Sequence, residues 1–597
     1  EQTACQYTTA HGVTLLPLRV ASALFLPIDK FEATIRFELE SPVGVPFKEM
    51  ALGSLPVFFA NDAGRRVFEA CSLRAKGVSH ASPDATWSVD RGPDAISPMG
   101  FDEQHAMLPV GARSFSGYRL LHEYFALPDR FRFLRFEGLE QAAQRCEGNR
   151  LRISIRVARP PGASDVDLER TFSAEDAQLF CTPAVNLFER SSARVPLDET
   201  LREHHLVIDR TRPLDFEVHS VERVTGFDDS NRAVQQLLPL FGARGGSGGH
   251  GCYTLRRESR LVSSRERRIG SRTSYLGSEV FLSVSDPDSP PVREEVRQLG
   301  VRVLATNRDI PLTMPVGVRA SDFDLEASCP VTSTRIIAGP TPPTPSPAVG
   351  ELTWRLISHL KLNYLSLLDE GDKGASALRG LLSLYGHAAP LSVRRQIDGL
   401  VSASATSAVE RAPRSGPIAF IRGLDIRLDF DESRFDGSSP FVLASVLDRF
   451  FPRYVSINSF TRRRGRADAL AAAPGPSGGD LIPADASKLR RHPTAYDPFQ
   501  LVRLMEGMSP EQPRVGRSLR PAEDPISFGQ SASLAFSASS VAEIVSDGPR
   551  PLVRLRNFGL LGTNGPLPLH LTEYIDSRVR NGRDTTLLAF CELLTNR

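Results

Sequence analysis

Several features that would point to a specific chemistry are scarce or missing in this sequence. Its 597 residues include 7 cysteines, an odd number at wide spacing, and no CxxC pair occurs. That pattern argues against a disulfide framework and against a zinc ribbon. We therefore expect reduced thiols, as in a cytosolic protein.

Long apolar runs and an excess of one charge are also absent. No stretch approaches the roughly 18 unbroken apolar residues of a transmembrane helix. The 72 basic and 70 acidic side chains leave a formal charge of +2, so the overall charge favours neither nucleic acid nor an anionic membrane as a partner. The chain opens on Glu1 without a basic segment, so we expect no signal peptide, and the missing initiator Met indicates a true start upstream.

Motifs that carry catalysis or metal binding are missing as well. No GxSxG, HExxH or P-loop occurs. His570 and Glu573 lie three apart on a predicted helix, but without a second such pair they indicate a solvated or interface face. The adjacent His204 and His205 would face opposite sides of a strand and are expected at the surface. We predict no catalytic residue, no metal and no cofactor.

Three further stretches suggest a ligand and are better explained otherwise. The glycine-rich residues 242–251 are typical of a flexible loop. Residues 428–437 lack the spacing of a calcium loop and predict a strand that ends in a turn. Residues 256–272 hold seven arginines but no interleaved aromatics, which favours a solvated sheet face. An arginine-mediated nucleic-acid or anionic-surface binder remains the alternative function, and a hydrolase whose site is not visible in the sequence is another.

The first 340 residues predict mainly strands. In "TIRFELE" the apolar Ile35, Phe37 and Leu39 alternate with polar residues, and "LRISIRV" at 151–157 alternates in the same way. Period two places one face of a strand in a core and the other in water. Repeated runs of this kind between turn-rich stretches favour antiparallel sheets, as in a sandwich or barrel.

The pattern changes after the proline-rich "GPTPPTPSP" at 339–347, which predicts a stiff, extended spacer. An amphipathic helix is predicted within 351–368 and a strand near 424–432. A second helix is expected to begin with Ser439 as its cap and Pro440 at its first position, and to end at Pro452.

From 462 to 487 the pattern is lost, which predicts a disordered linker. Asp497 and Pro498 then indicate the start of a helix, and "PLVRLRNF" a strand. A pair of helices follows, and Asp584 is expected to cap the last one. The fold class is therefore mixed α+β. We predict five parts: β-rich 1–338 with two subdomains split near 150–200, the spacer 339–347, α/β 348–461, the linker 462–487 and a small α+β segment 488–597.

The segment "FGLLGTNGPLPLHLTEY" at 558–574 combines turn residues with large apolar side chains. Gly559, Gly562 and Gly565 permit backbone angles that other residues avoid, and Asn564–Gly565 is a turn signal. Exposed leucines on a shaped loop indicate a protein interface, whereas core packing of Leu560 and Leu561 is the alternative. The candidate interface residues are Phe558, Leu560, Leu561, Asn564, Leu567, Leu569, His570 and Tyr574.

Several strings, in order along residues 1–461, resemble TssF, the larger wedge subunit of the type VI secretion system baseplate. They are "GFDEQHAMLP" (100–109), "SGYRLLHEYFALPDRFRFLRFEGL" (116–139), "LFCTPAVNLFERSS" (179–192), "WRLISHLKLNYLSL" (354–367) and "FFPRYVSINSFT" (450–461). From residue 488 a second set resembles the start of the partner subunit TssG: "HPTAYDPFQLVRLME" (492–506), "RVGRSLRPAEDPISFGQ" (514–530) and "NFGLLGTNGPLPLHLTEY" (557–574). The chain looks like two neighbouring subunits joined tail to head, each incomplete.

The resemblance implies a non-catalytic scaffold in the baseplate wedge, which supports the contractile sheath and spike. Implied partners are further TssF and TssG copies, TssK, TssE and the VgrG spike hub. No nucleic acid is expected, and any contact with the membrane is indirect, through the assembled complex. The implied location is the bacterial cytoplasm, at the inner-membrane face.

Overall fold

The structure, a computed structural model, divides into two compact units. The first unit comprises residues 1–108, 117–454 and 460–465, and the second comprises 109–116, 455–459 and 466–597. The residues described are 3–109, 116–159, 167–197, 201–240, 251–262, 273–285, 295–345, 372–386, 391–411, 420–435, 438–454, 461–464, 498–508, 512, 515, 524–533, 541–545, 550–556, 559–562, 567–582 and 584–595.

The elements of the first unit up to residue 196 are β1 (Thr8–Thr9), β2 (Arg19–Pro27), β3 (Glu32–Glu40), β4 (Leu55–Phe59), α1 (Asn61–Arg74), β5 (Ala75–Ala81), β6 (Ser88–Arg91), β7 (Ile96–Pro98), α2 (Ser116–Ala126), β8 (Phe133–Phe136), α3 (Glu140–Arg145), β9 (Arg150–Ala158), α4 (Leu168–Thr171), β10 (Ala177–Leu179), β11 (Ala184–Val185), β12 (Phe188–Ser191) and β13 (Val195–Pro196). The elements that follow are β14 (His204–His205), β15 (Glu217–Phe227), β16 (Ala233–Pro239), β17 (Cys252–Ser259), β18 (Ser278–Ser285), β19 (Gln298–Thr306), α5 (Asp372–Gly386), α6 (Leu391–Asp398), β20 (Leu400–Arg411), β21 (Phe420–Phe430), α7 (Pro440–Tyr454) and β22 (Thr461–Arg464).

The N-terminal core lies between two antiparallel sheets. A five-stranded sheet has the order β2-β3-β9-β5-β6, and a four-stranded sheet has the order β10-β4-β8-β7. The inward side chains of β3 and β9 are buried, as their period-two alternation predicts. Phe37 of the first sheet meets Phe59 and Phe136 of the second, with ring centroids 6.2 and 5.6 Å apart. Aromatic contacts of this kind hold the two inner faces together.

The next part of the first unit is built on an eight-stranded sheet with the order β12-β19-β15-β16-β17-β18-β14, to which β13 adds alongside β19. All of its pairings are antiparallel except β16 with β17. Its inner face holds a separate cluster of buried aliphatic and aromatic side chains. The predicted antiparallel sheets of residues 1–340 and the mixed α+β class are confirmed.

Residues 372–454 join the same compact unit, which differs from the separate α/β domain predicted for 348–461. The Tyr124 hydroxyl of α2 donates to Oε1 of Gln396 at 3.2 Å. The ring centroids of Phe441 of α7 and Phe68 of α1 lie 5.9 Å apart. These buried contacts tie the two parts, although the proline-rich stretch separates them in sequence. The helix predicted within 351–368 lies outside the described residues.

Two sequence predictions near residue 450 are confirmed and two are wrong. The Ser439 hydroxyl accepts from the Phe441 N–H at 3.0 Å, so the predicted cap exists, and α7 begins at Pro440 as expected. The helix continues through Pro452 to Tyr454. A proline removes one backbone donor but need not stop the last turn of a helix. Residues 462–464 belong to β22, which pairs in parallel with β21, so they are not part of a linker.

A buried ion cluster connects α2 to the segment that precedes it. The Glu123 side chain is 1% exposed and accepts from Nη1 of Arg119 at 2.9 Å, and it also pairs with Arg130. Its other oxygen accepts from the Met107 and Leu108 N–H groups at 2.9 and 3.0 Å. Because buried charges must be paired and hydrogen-bonded, this one carboxylate stabilises two guanidinium groups and a turn of backbone.

Two buried histidines of the first unit lack polar partners. His11 and His80 are 5% and 0% exposed, and neither ring nitrogen of either has a hydrogen-bond partner within the part of the chain that the structure describes. Burial lowers the pKa of His11 to about 3, helped by His105 and by Arg130 nearby. Burial and Arg91 lower the pKa of His80 to about 4. Both imidazoles are therefore neutral in the folded protein at neutral pH.

The second unit contains α8 (Pro498–Met508), β23 (Ser527–Gln530), β24 (Val541–Val545), β25 (Leu552–Leu555), α9 (Leu569–Gly582) and α10 (Thr586–Thr595). Its sheet has the order β23-β25-β24, with β25 parallel to β23 and antiparallel to β24. Leu501 of α8 is completely buried against this sheet. The helix start at Pro498, the strand in "PLVRLRNF" and the final pair of helices are confirmed.

Candidate functional site

The candidate interaction segment, 558–574, leaves the central strand β25 of the second unit and runs into α9. The structure describes its residues 559–562 and 567–574. Phe558 and Asn564, together with the predicted Asn-Gly turn, lie outside the described residues. The site is therefore built from the two described pieces and the groups that hold them.

Two buried polar side chains hold the backbone of this segment. Oε1 of Gln530 accepts from the N–H groups of Leu560 and Leu561 at 2.5 and 2.9 Å, and its Nε2 donates to the Cys591 carbonyl at 3.3 Å. Oγ1 of Thr572 accepts from the Gly562 N–H at 3.0 Å. Because a buried donor without an acceptor costs about 1–3 kcal/mol, these contacts fix the path of the chain.

The first two glycines have the backbone geometry that the sequence indicates. Gly559 and Gly562 have φ values of 135° and 88°. A Cβ on Gly559 would lie 2.2 Å from Cδ of Gln530, so a side chain would displace the amide that holds the segment. Glycine is needed at 559 for both reasons, while Gly565 lies outside the described residues.

The leucines of the segment divide between the core and the surface. Leu561 is 4% exposed and shares a buried cluster with Ile575, Leu588 and Cys591. Leu560 and Leu567 are partly buried and pack against that cluster. Core packing, the alternative left open by the sequence, therefore describes Leu561, whose side chain has no surface to offer a partner.

The surface of the segment is formed by the first turns of α9. Leu569 and Tyr574 are 53% and 51% exposed, and His570 is also exposed. At about 100° per residue, His570 lies between the other two around the helix. We call Leu569, His570 and Tyr574 the α9 face. It combines an aliphatic, an imidazole and a phenol group, a composition suited to a protein partner.

The α9 face is supported by Arg578, which lies one turn further along the same helix. Nη1 of Arg578 donates to the Tyr574 hydroxyl at 2.7 Å, and the same guanidinium pairs with Asp584. The Asp584 carboxylate accepts from the Thr586 N–H at 3.0 Å, which confirms its predicted capping role. Hydrogen bonds from Thr586 and the Arg578 pair lower the pKa of Asp584 to about 2. Arg578 thus links the exposed phenol to the start of α10.

His570 and Glu573, which lie three apart in sequence, are both part of α9. Glu573 is exposed next to His570 on the same helix. Within the described ranges, no group of three or more histidine, cysteine or acidic side chains is placed to bind a metal ion.

The arginine-rich stretch is described only in part, and its described side chains have protein partners. Nε of Arg256 donates to Glu203 at 2.9 Å. Nη1 of Arg257 donates to the Ser278 hydroxyl at 2.6 Å, and its Nη2 donates to the His219 carbonyl. These contacts agree with a sheet face, while residues 263–272 lie outside the described residues.

The other residues that the sequence suggested as possible ligand sites belong to the first unit. His204 and His205 do face opposite sides of β14, but His204 is 8% exposed, so the expectation of a surface position is wrong for it. It is buried because β14 lies beside β18, opposite Leu282. β21 ends at Phe430 and is followed by a short turn, as expected for residues 428–437. The glycine-rich loop at 242–251 lies outside the described residues except for Gly251.

Gln530, Thr572 and Arg578 were not identified from the sequence as part of the site. No local pattern distinguishes a glutamine that holds a segment about thirty residues away from one that faces water. Among the residues that the structure describes, none of the helices combines the length and the apolar character that crossing a membrane requires.

Comparison with known proteins relates the chain to one secretion apparatus. The sequence model of the family described as "Type VI secretion system, TssF" matches residues 1–469, and that of "Type VI secretion, TssG" matches residues 492–597. A type VI secretion system component TssF1 from Pseudomonas aeruginosa is 44% identical over 499 residues, covering 80% of this chain and 79% of the relative.

One solved structure shows the same fold, and a second aligns more weakly. A TssK-TssF-TssG baseplate subcomplex of the type VI secretion system contains a chain that aligns with a TM-score of 0.58 at 22% identity, covering 78% of this chain and 81% of the other. A chain of the baseplate complex from the type VI secretion system aligns with a TM-score of 0.42 at 21% identity, covering 71% and 70%.

Proposed function

The chain belongs to the TssF family of type VI secretion system baseplate components, and on this premise we propose that it is a non-catalytic scaffold whose TssG-like C-terminal segment supplies an interface to other subunits. Both families that the chain matches belong to type VI secretion, and a solved relative of this fold is part of a baseplate subcomplex. The observation that carries the proposal is their order, with a TssF match over residues 1–469 followed by a TssG match over residues 492–597 in one polypeptide.

The α9 face is the proposed contact surface of the TssG-like segment. Its support is geometric, because Gln530 and Thr572 fix the preceding backbone and Arg578 holds the Tyr574 phenol. A surface that is already ordered loses little conformational entropy on binding. Leu560, Leu561 and Leu567 act through the core beneath it. Phe558 and Asn564 stay in the proposal on sequence grounds alone.

The partners we propose are subunits of the same apparatus. A solved relative of this fold is part of a complex of TssK, TssF and TssG, so TssK and further TssF or TssG copies are the first candidates. TssE and the VgrG spike hub follow from the family resemblance. The proposed location is the cytoplasm, with the assembled baseplate docked at the inner membrane.

The proposal is tested by co-expression of the tagged full chain with TssK from the same organism. We expect TssK to co-purify with the wild-type chain and with a Leu276→Asp control, which changes a leucine of similar exposure in the first unit. Leu569→Asp on the α9 face should lower the TssK recovered without changing the yield or the thermal unfolding of the chain. A wild-type chain that retains no baseplate subunit would refute the scaffold role.

A further inference from the structure

A long stretch of the first unit is irregular and yet held in place. Residues 314–345 contain neither helix nor strand. Loops of this length without secondary structure are uncommon in compact domains, and those that are ordered are usually functional. The interface residues predicted from the sequence all lie elsewhere, in 558–574.

A set of hydrogen bonds closes the middle of this stretch into a loop. The Asp322 N–H donates to the Thr334 carbonyl at 2.7 Å, and the Thr334 N–H donates to the Ser321 hydroxyl at 2.9 Å. The Asp322 carboxylate accepts from the N–H groups of Gly317 and Ile336 at 2.6 and 2.9 Å. These bonds form a neck, and we call the residues beyond it, 324–333, the clasped loop.

The neck is fixed to the body of the first unit by an aromatic contact. The ring of Phe323 meets that of Tyr7 edge-on, with centroids 5.0 Å apart, and the Tyr7 hydroxyl donates to Sδ of Met314 at 3.9 Å. The clasped loop therefore starts from a rigid base rather than from a free linker. All ten of its residues are exposed.

Several apolar side chains on and beside the clasped loop are exposed and are not packed into a core. Within the clasped loop Leu325 and Val331 are 47% and 39% exposed, and the flanking Val318 and Ile337 are 77% and 50% exposed. Single exposed aliphatic residues are ordinary, but several on one ordered stretch indicate a surface that another protein covers.

The charges within the clasped loop, which contains two acidic residues and no basic one, indicate what the surface that covers it carries. Asp324 and Glu326 flank Leu325 in sequence and are exposed. In the described part of the chain neither forms an ion pair. An apolar pocket that accepted Leu325 would bring both carboxylates to its rim, where arginine or lysine would complement them.

We propose that the clasped loop is a preformed docking element that inserts Leu325 and Val331 into an apolar pocket rimmed by arginine or lysine on a different subunit of the baseplate. The inference rests on the proposed function, because that function supplies the class of partner. The neck holds the loop in its binding conformation before the partner arrives, which limits the entropy lost on docking.

The experiment uses the tagged full chain co-expressed with TssK and TssE from the same organism, and measures how much of each is retained. Leu325→Glu removes the apolar anchor, and Glu326→Lys reverses one rim charge. Leu276→Glu is the matched control, since Leu276 is 46% exposed and lies outside the loop. Thermal unfolding of each variant checks that the fold is kept.

We expect Leu325→Glu to lower retention of one subunit by about tenfold, the effect of losing an interface hot spot. Glu326→Lys should lower retention of the same subunit by a smaller factor, because it changes a rim charge, while the control retains it. Retention by the wild type should also fall as salt is raised, and less so for Glu326→Lys. Equal retention by the wild type and both variants would overturn the inference and leave the scaffold role intact. A wild-type chain that retains neither subunit would overturn the scaffold role itself.

Self-association is the remaining outcome. Light scattering of the chain alone measures it directly. A wild-type dimer that Leu325→Glu converts to a monomer would overturn the assignment to a different subunit, because the pocket would then lie on a second copy of this chain.

Discussion

A pair of leucine substitutions separates the core of the TssG-like segment from its proposed interface. Leu561 is 4% exposed within the cluster of α9 and α10, whereas Leu569 is 53% exposed at the start of α9. The two lie in the same short segment and change the same number of atoms when replaced by alanine. Any difference between them therefore reflects position rather than chemistry.

The expected magnitudes differ widely. Leu561→Ala should destabilise the second unit by about 2–5 kcal/mol, the range for a leucine removed from a core that collapses only in part. Leu569→Ala should change stability by less than about 0.5 kcal/mol, since its environment is half solvent. It should instead weaken partner binding by roughly fivefold or more, as an interface anchor does.

Hydrogen exchange of the full chain, followed by mass spectrometry, measures the first effect. Peptides from residues 567–595 should exchange about thirtyfold faster or more in Leu561→Ala, because local opening becomes easier by at least about 2 kcal/mol. The same peptides should be unchanged in Leu569→Ala, and co-purified TssK measures the second effect. If Leu561→Ala left exchange unchanged and reduced TssK as much as Leu569→Ala did, the division between core and interface would be wrong.

Three further predictions concern the buried polar groups. Gln530→Leu should raise exchange at the N–H groups of residues 560 and 561 and lower recovery of TssK, and unchanged exchange would contradict the role of its amide. Glu123→Leu should destabilise the first unit by about 3–5 kcal/mol, seen as a lower urea midpoint, because two guanidinium groups lose their counter-charge; a shift below about 1 kcal/mol would refute the cluster's importance. The folded-state pKa values of His11 and His80, about 3 and 4, lie below the unfolded value of about 6.5, so the unfolded chain takes up protons first. Stability should be full above pH 6.5 and fall as the pH drops toward 4, by at most about 1.4 kcal/mol per pH unit for each histidine. Urea midpoints at several pH values test this, and a His80→Phe variant that kept the full pH dependence would count against that residue.

The elements that the sequence predicts correctly depend on residues that are close together in the chain. The alternation around Phe37 is local, because one strand's buried face repeats every second residue whatever the strand pairs with. The helix start at Ser439 and Pro440 is local for the same reason, since a cap acts within one turn. The predicted end of that helix at Pro452 was wrong. A proline near a helix terminus removes only one backbone hydrogen bond, and the packing of the helix can outweigh that loss.

Sequence patterns alone predict the strands of the N-terminal sheets, the helices α9 and α10, and the family to which the chain belongs. Each depends on residues close together in the chain or on whole strings of them. Only the tertiary structure decided that Leu561 is core while Leu569 is surface, that Gln530 holds the backbone between them, and that residues 324–333 form a closed loop. Those outcomes depend on groups brought together from distant positions, and the periodicity of a chain carries no information about which distant groups will meet.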